Sequence, residues 1–371
     1  MLMIIMQLAS CRTDESTIPV VRLTPSGEEG IIRLSDLFDS IAIVPLETSE
    51  NSLLSSISEV GFCKEKIIVK DRKLGIKVFD IKGRYLNSIG SFGSGPGEFG
   101  RGGRTYVSEK ENAVYVINHS KRTLMKYDMS GDFVSSIPIP EHYGKILVNE
   151  DSDIILVNTF PQIFTQRYFD LLKLSPSGDT ILLLRNSDLI LKELPLVIST
   201  FPTHSFELGG KIYIKIQLND TLYMESGSAI ARIAILDHGG KGLGFRDLYT
   251  KKVSDYNGFL IINSLLIIHD NLLINYNYEG DQYWLKYCFF DGQSSFEKVG
   301  ISELGSLPLA DVSYSIKNDI IPNIGDWPIG LSNGVYYSIL DWGNTVLSIG
   351  EENSKRLFSN ENDNPVILIY K

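Results

Sequence analysis

Five times between residues 76 and 292 an apolar run ends in the same kind of tight turn, and this recurrence constrains the chain more than any other feature. The sharpest copies are Val78-Phe79-Asp80-Ile81-Lys82-Gly83 and Lys126-Tyr127-Asp128-Met129-Ser130-Gly131. Looser ones run Lys173 to Gly178 (KLSPSG), Ile235 to Gly240 (ILDHGG) and Phe289 to Gly292 (FFDG). Asp or Ser at the first turn position accepts hydrogen bonds from the turn backbone, and glycine further on tolerates positive φ, so each copy predicts a hairpin turn. The turn glycines 83, 131, 178, 240 and 292 lie 48, 47, 62 and 52 residues apart, which is a repeat period.

A second strand precedes each turn: Ile67–Val69, Ala113–Val116, Ile154–Val157, Lys211–Ile214 and Leu272–Ile274, with a sixth copy at Gly334–Ile339. Helical periodicity is scarce, so the pattern reads as all-β, and the period decides between sandwich, barrel and propeller. Residues 38–371 are 334 residues. Divided into six units they give about 56 residues each, a little above the ~40 to 50 of a four-stranded propeller blade, with long connections taking up the excess. Such a sheet cannot bury both faces alone, so neighbouring units must stack around an axis. The prediction is one domain over 38–371: an all-β, six-bladed β-propeller with four-stranded blades. The last unit is one strand short, with a polar, helix-prone stretch at 350–361 before the β-prone Pro365–Tyr370. The strand at about 41–46 precedes the first complete unit. Pairing it with about 365–370 completes the blade, closes the ring and leaves no open edge there.

The N-terminus reads as an address. Residues 1–10 (MLMIIMQLAS) are almost wholly apolar and end at Leu8-Ala9-Ser10-Cys11, after which the chain turns polar. This resembles the end of a bacterial lipoprotein signal peptide, in which a long apolar residue and two small ones precede the cysteine that is acylated. No Lys or Arg precedes Cys11, where such a signal has a basic n-region. The resemblance implies removal of residues 1–10, lipid on Cys11, a tether and lead-in over 11–37, and a place in the bacterial cell envelope, periplasmic or on the outer surface. More than one acyl chain on that cysteine anchors stably without another apolar segment. Beyond residue 10 no apolar run approaches the ~20 residues of a membrane-spanning helix.

Residues 41–48 (IAIVPLET), the Gly-rich stretch 76–100 (IKVFDIKGRYLNSIGSFGSGPGEFG) and 364–371 (NPVILIYK) resemble the six-bladed β-propeller lipoproteins related to the NHL-repeat group. The resemblance implies a fold and an envelope location, and no reaction.

Composition narrows the partners. Lys plus Arg number 35 against 45 Asp plus Glu, a net charge of -10. That balance argues against nucleic acid, which is gripped by cations that neutralise phosphates. The three cysteines, Cys11, Cys63 and Cys288, and five histidines have no zinc or disulfide spacing, and Cys63 and Cys288 read as buried free thiols. His119, His142, His204, His238 and His269 fall in no nucleophile arrangement, and no G-x-S-x-G elbow is present. Gly95-Pro96-Gly97-Glu98-Phe99-Gly100 satisfies G-x-G-x-x-G, but β-prone residues follow instead of the helix a dinucleotide needs. It reads as a connection between blades, and no cofactor is expected.

Propeller topology says which loops share a face. Turns joining the second to the third strand, and connections from one blade to the next, lie together, opposite the Asp-x-x-Gly hairpins. The first set carries Arg72, Lys73, Arg101, Arg104, His119, Lys121, Arg122, Arg167 and Tyr168. Guanidinium forks on that face suit an acidic protein or acidic glycan partner, so the expected role is a binding or scaffolding module held at the membrane by lipid on Cys11. The alternative is a metal-dependent hydrolase or lactonase at the central channel, where Asp71, Asn118, Asn158 and Asn219 would supply oxygen ligands for calcium or magnesium.

Overall fold

The computed structural model describes residues 18–24, 32–139, 143–158, 171–184, 203–299 and 330–371, apart from 217, 228, 245, 246, 252, 290, 291, 293, 344, 346–350 and 356. Its strands form six four-stranded antiparallel sheets, one carrying a fifth strand, and a two-stranded ribbon. The sheets are the blades of a six-bladed β-propeller. Blade 1 comprises Ile57–Cys63, Lys66–Asp71, Gly75–Asp80 and Tyr85–Ile89, from axis to rim. Blade 2 comprises Thr105–Ser108, Ala113–Asn118, Thr123–Asp128 and Phe133–Pro138. Blade 3 follows at Lys145–Val148, Ile154–Val157, Leu171–Leu174 and Thr180–Leu184. Blade 4 has His204–Leu208, Lys211–Lys215, Thr221–Ser226 and Ala229–Asp237. Blade 5 has Ile261–Ile268, Asn271–Tyr278, Asp281–Cys288 and Ser294–Val299.

Blade 6 is assembled from both ends of the chain. Gly330–Ser332, Val335–Leu340 and Val366–Tyr370 are its inner three strands, and Ile41–Pro45 is its rim strand. The seam is antiparallel, from Ile41 opposite Tyr370 to Pro45 opposite Val366, and Leu46 N–H continues it to the Pro365 carbonyl at 3.3 Å. This is the pairing the sequence predicts.

What holds the ring is visible in the core, which divides into six apolar clusters, one at each junction of neighbouring blades. Val78, Val107 and Val116 fill the junction of blades 1 and 2, whereas Phe62, Val69, Ile367 and Ile369 fill that of blades 6 and 1. Each blade's two faces are thus withdrawn from water by its neighbours, which is why the fold is one cooperative body. The described lead-in joins this body. Val20–Arg22 adds to the rim of blade 4 as a parallel fifth strand, and Val21 and Leu23 enter the cluster between blades 4 and 5. Ile32, Leu34, Leu37 and Phe38 enter the next cluster, with the Phe38 ring 5.4 Å from Tyr336 and 5.2 Å from Tyr370.

The predicted turns behave as their chemistry requires. Asp80 Oδ1 accepts from the backbone N–H of Lys82 and Arg84, both at 2.9 Å, and Asp128 Oδ1 does the same for Ser130, Gly131 and Asp132. Gly83 and Gly131 have φ of +83° and +103°. A Cβ on either would also strike the backbone of the preceding blade's rim strand, 2.0 Å from the Pro45 carbonyl oxygen or 2.3 Å from that of Ser88. Glycine therefore serves both the turn and the closest approach between blades.

One turn was misplaced. The strand ending at Asp237 is the rim strand of blade 4, so His238–Gly240 leads onward to blade 5 and the hairpin turn of blade 4 is at Gly227, φ +62°. Gly227 lies 49 residues after Gly178 and 65 before Gly292, so the long interval falls between blades 4 and 5 rather than between blades 3 and 4. The G-x-G-x-x-G segment is a blade connection, as expected. Ser91–Phe92 and Glu98–Phe99 pair in parallel, and Glu98 Oε2 accepts the Gly95 N–H at 2.7 Å. Cys63 is buried and Cys288 half-buried, both as free thiols. No described helix is long and apolar enough to cross a membrane.

Candidate functional site

Every inner strand begins on the face that carries the blade-to-blade connections, so the first residues of those strands form a ring around one mouth of the axis. That ring is polar. Glu59 stands near the start of blade 1's inner strand, Thr105 opens blade 2, Lys145 blade 3, His204 blade 4 and Gly330 blade 6. A Cβ at Gly330 would lie 2.3 Å from the Tyr337 ring, so a second-strand tyrosine fills the space where blade 6 has no side chain. Burial pushes the Tyr337 phenol up to about 12, with the Glu59 carboxylate adding to the shift.

Two sectors of the mouth are charged. In the first, at the junction of blades 1 and 2, Glu59 pairs with Arg104 Nη1 at 3.3 Å and with Lys70 Nζ at 3.9 Å. It also accepts the Thr105 backbone N–H at 2.6 Å and the Thr105 hydroxyl. Lys70 is the cross-strand neighbour of Glu59 and its side chain is 4% exposed. Burial holds its ammonium below the ordinary lysine range, Glu59 acts the other way, and Arg104 adds to the depression.

The second sector spans blades 3, 4 and 5. Lys145 Nζ donates to the Ser205 carbonyl. His204 and Lys215 are cross-strand partners, so both side chains leave the same face of blade 4, the one turned toward blade 5. Burial lowers both Lys145 and Lys215 to about 8; Glu59 raises Lys145 and Arg104 lowers it, and Asp220 raises Lys215. Among the described residues neither lysine forms an ion pair. His204 is driven down to about 3, first by burial and then by Lys215 and Lys145, against the pull of a hydrogen bond to the Ile262 backbone. His204 Nε2 and Ser205 Oγ are buried without a hydrogen-bond partner. The mouth therefore sets Lys70, Arg104 and Lys145 near the ion-paired Glu59, and Lys215 within range of Asp220, on a protein whose net charge is -10.

Residues 16–371 match the model of a domain of unknown function, DUF4934. The chain belongs to the DUF4934 family. Among solved structures, the DUF4934 propeller is similar to a candidate exported protein from Bacteroides fragilis NCTC 9343, with a TM-score of 0.67 at 16% identity over 96% of this chain and 99% of that one. A member of the DUF4221 family from Bacteroides vulgatus gives 0.46 at 11% identity, over 71% and 86% of the two chains. BamB from Moraxella catarrhalis gives 0.39 at 9% identity, over 70% and 66%. None of the curated proteins matches the sequence.

The DUF4934 structure places Arg72, Arg101, Arg104, His119 and Arg122 on the predicted face, in the second-to-third-strand turns of blades 1 and 2 and the connection between those blades. Only Arg104 reaches the mouth, through Glu59. Arg101 instead lies over the Phe92 ring, 5.5 Å from its centroid. Arg167 and Cys11 lie outside the described residues. Three of the four residues expected to hold a metal, Asp71, Asn118 and Asn219, accept hydrogen bonds from nearby protein groups. Asp71 accepts the backbone N–H of Ser55, Ser56, Lys73 and Leu74. These four hydrogen bonds hold its carboxyl below the usual range despite burial, the largest opposing influence. Asn118 Oδ1 accepts from Ser120 and Lys121, and Asn219 Oδ1 from the Thr221 N–H, each inside its own turn. Among the described residues no three His, Cys, Asp or Glu side chains are grouped to hold a metal.

Sequence reasoning missed Glu59, Lys70, Lys145 and Lys215, and left His204 without a role. The signal was present in runs such as Lys145-Ile146-Leu147-Val148 and Ile212-Tyr213-Ile214-Lys215, where a lysine ends an apolar strand that should be buried. A recess of about 490 Å³ lined by Lys66, Asn87, Asn112 and Ser130 sits on the opposite face, among hairpin turns. The charged mouth is the stronger site, because burying lysine without a carboxylate costs free energy that a shallow polar dent does not.

Proposed function

We propose that this DUF4934 protein is a lipid-anchored binding module of the bacterial cell envelope, which holds an acidic partner at the mouth of its propeller axis. One observation carries the reading: two lysines of the mouth, Lys145 and Lys215, are buried and form no ion pair among the described residues. Folding has buried charges there that an anionic group would neutralise. Around the mouth, exposed Arg72, Arg101 and Arg122 on the same face would steer an acidic protein or glycan toward it, and their effect falls with salt.

Envelope location is supported by the Leu8-Ala9-Ser10-Cys11 lipobox, and by the candidate exported protein of Bacteroides fragilis that shares the fold. The two halves of the proposal have separate tests. Metabolic labelling with palmitate should mark the full-length protein and be lost in Cys11→Ser; equal labelling of both removes the anchor. Immobilised full-chain protein should retain acidic polysaccharide or acidic protein from envelope extracts, less so at high salt and in the Arg101→Glu/Arg104→Glu variant. Retention that responds to neither salt nor charge reversal would overturn the binding reading.

A further inference from the structure

Apart from the charged mouth, we infer that Asn263, Ser264, Asn277 and Gln282 of blade 5, held in place by Asn275, form a binding site for an uncharged oligosaccharide. The site does not depend on the reading above, and its ligand presents hydroxyls where the partner of the mouth presents negative charge.

The sheet itself brings these residues together. Ile262 pairs with Tyr276 and Ser264 with Asn275, so Asn263 is the extra residue of a β-bulge, a device that re-aims side chains. Ile262 and Leu265, on either side of the bulge, pack in the cluster between blades 4 and 5, so Asn263 and Ser264 both lie on the other face. That face is turned toward blade 6, because Leu273, two residues before Asn275, and Trp284, its cross-strand partner, pack with Tyr336 and Leu340. Asn277, two residues beyond Asn275, and its partner Gln282 join the same face. The amides meet there. Asn263 Nδ2 donates to Asn275 Oδ1 at 2.9 Å and to Asn277 Oδ1 at 3.0 Å, and Gln282 Nε2 donates to Asn275 Oδ1 at 2.8 Å. All five lie near the beginning of blade 5's first strand, the end of its second or the beginning of its third, on the side of the ring that carries the blade-to-blade connections.

Donor and acceptor accounting then selects the ligand. Asn275 is 1% exposed, and it uses Oδ1 on its two neighbours and Nδ2 on the Tyr283 carbonyl at 3.2 Å. The other four are only half-buried. Asn263 Oδ1, Gln282 Oε1, both N–H of Asn277 and the Ser264 hydroxyl have no partner among the described residues. The patch thus offers donors and acceptors side by side, and none of its five side chains is ionisable. Neighbouring hydroxyls of a sugar each donate and accept, so a pair of them can engage the C=O and NH2 of a carboxamide together. A peptide backbone presents its N–H and C=O singly and on opposite sides. An oxyanion would meet amide carbonyls with no cation in the patch to offset them. Water satisfies the same groups, and hydroxyls that reproduce its hydrogen bonds can displace it without loss. Because Asn275 already fixes the amides, little ordering is left for the ligand to impose.

Calorimetric titration of the full chain with maltohexaose, laminarihexaose, mannohexaose and xylohexaose should show binding of at least one, and hexaglycine should not bind. The affinity should change less than about twofold between about 50 and about 500 mM sodium chloride, since no charge is paired. Asn277→Ala and Gln282→Ala should each weaken the sugar about tenfold and Ser264→Ala about threefold, with circular dichroism confirming the fold. The site is overturned if none of these sugars binds, if hexaglycine binds as tightly, if binding falls with salt as that of the mouth should, or if folded Asn277→Ala and Gln282→Ala bind as well as the wild type. Loss of acidic-partner retention in the extract experiment would remove the mouth and leave this site standing, and the reverse holds equally.

Discussion

Two sectors of one mouth bury a lysine to the same depth and treat it differently. Lys70, in blade 1, has Glu59 across the strand pair at 3.9 Å, and its residue is 3% exposed. Lys215, in blade 4, is 5% exposed and among the described residues forms no ion pair; Asp220, in the neighbouring turn, acts on it only at longer range. The pair at blade 1 is internally complete and belongs to the architecture. The charge at blade 4 has no such counterpart among the described residues. The contrast separates a buried charge matched inside the ring from one that is not, and it can be broken from either side.

The largest effect is expected at the complete sector. Glu59→Gln leaves Lys70 and Arg104 without their carboxylate and should cost ~3 kcal/mol of unfolding free energy, read from urea denaturation, because removing one member of a buried pair strands the other. A loss below ~0.5 kcal/mol would show that Lys70 has no need of Glu59 and would erase the difference between the sectors. At the incomplete sector the sign should reverse. Lys215→Met removes a desolvated charge and keeps the aliphatic bulk, so in buffer free of oxyanions it should be neutral or stabilising by ~1 kcal/mol. A destabilisation as large as that of Glu59→Gln would mean that Lys215 is satisfied within the fold.

Solution pH sharpens the same comparison. Burial lowers Lys145 and Lys215 from 10.5 to about 8, with Glu59 and Arg104 facing the first and Asp220 the second. Between those values the unfolded chain binds more protons than the native one, so stability should rise with pH from about 8 to 10.5, less steeply in Lys215→Met. On the acid side His204, held near 3 by burial and by Lys215 and Lys145, stays neutral while its unfolded counterpart takes up a proton below about 6.5. Stability should therefore decline as pH drops from 6.5, and His204→Phe should flatten part of that decline. His238, lowered to about 4 by burial and by Lys215 and opposed by Asp220 and Asp237, adds to it, and carboxylates held below their usual range, such as Asp71, add more at lower pH. Scans of melting temperature against pH in wild type and variants would reveal a missing or reversed slope.

The fold was legible because its determinants are local and repeated. Asp80 and Asp128 accept their turn N–H groups whatever the rest of the chain does, and Gly83 and Gly131 mark the hairpins by their φ. The seam was legible for a different reason: Ile41–Pro45 and Val366–Tyr370 were strands with no partner in sequence, and a ring gives them one. In blade 4 the reading slipped, because Gly239-Gly240 after Asp237 mimics a hairpin turn more strongly than Gly227 does. The site was mostly illegible. Its members come from different blades, and Glu59, Arg104 and Lys145 come within range of one another only once the sheets have closed around an axis. Reading charge along exposed turns found Arg104, the member of the cluster that faces solvent, and passed over the lysines whose burial matters more.

Arg104 supplies the finest test, because it belongs to the complete sector yet is not buried. Its side chain is 45% exposed, and its 3.3 Å contact with Glu59 competes with water and salt. An exposed pair of this kind is worth no more than ~0.5 kcal/mol, so Arg104→Ala should leave the urea midpoint nearly unchanged. The removed guanidinium also stops depressing Lys70 and Lys145, so the rise of stability above pH 8 should begin at slightly higher pH. If Arg104→Ala instead costs as much as Glu59→Gln, the ion pair that matters at blade 1 is the one with Arg104. Lys70 would then tolerate burial as Lys215 does, and the two sectors would differ in what surrounds their lysines rather than in what neutralises them.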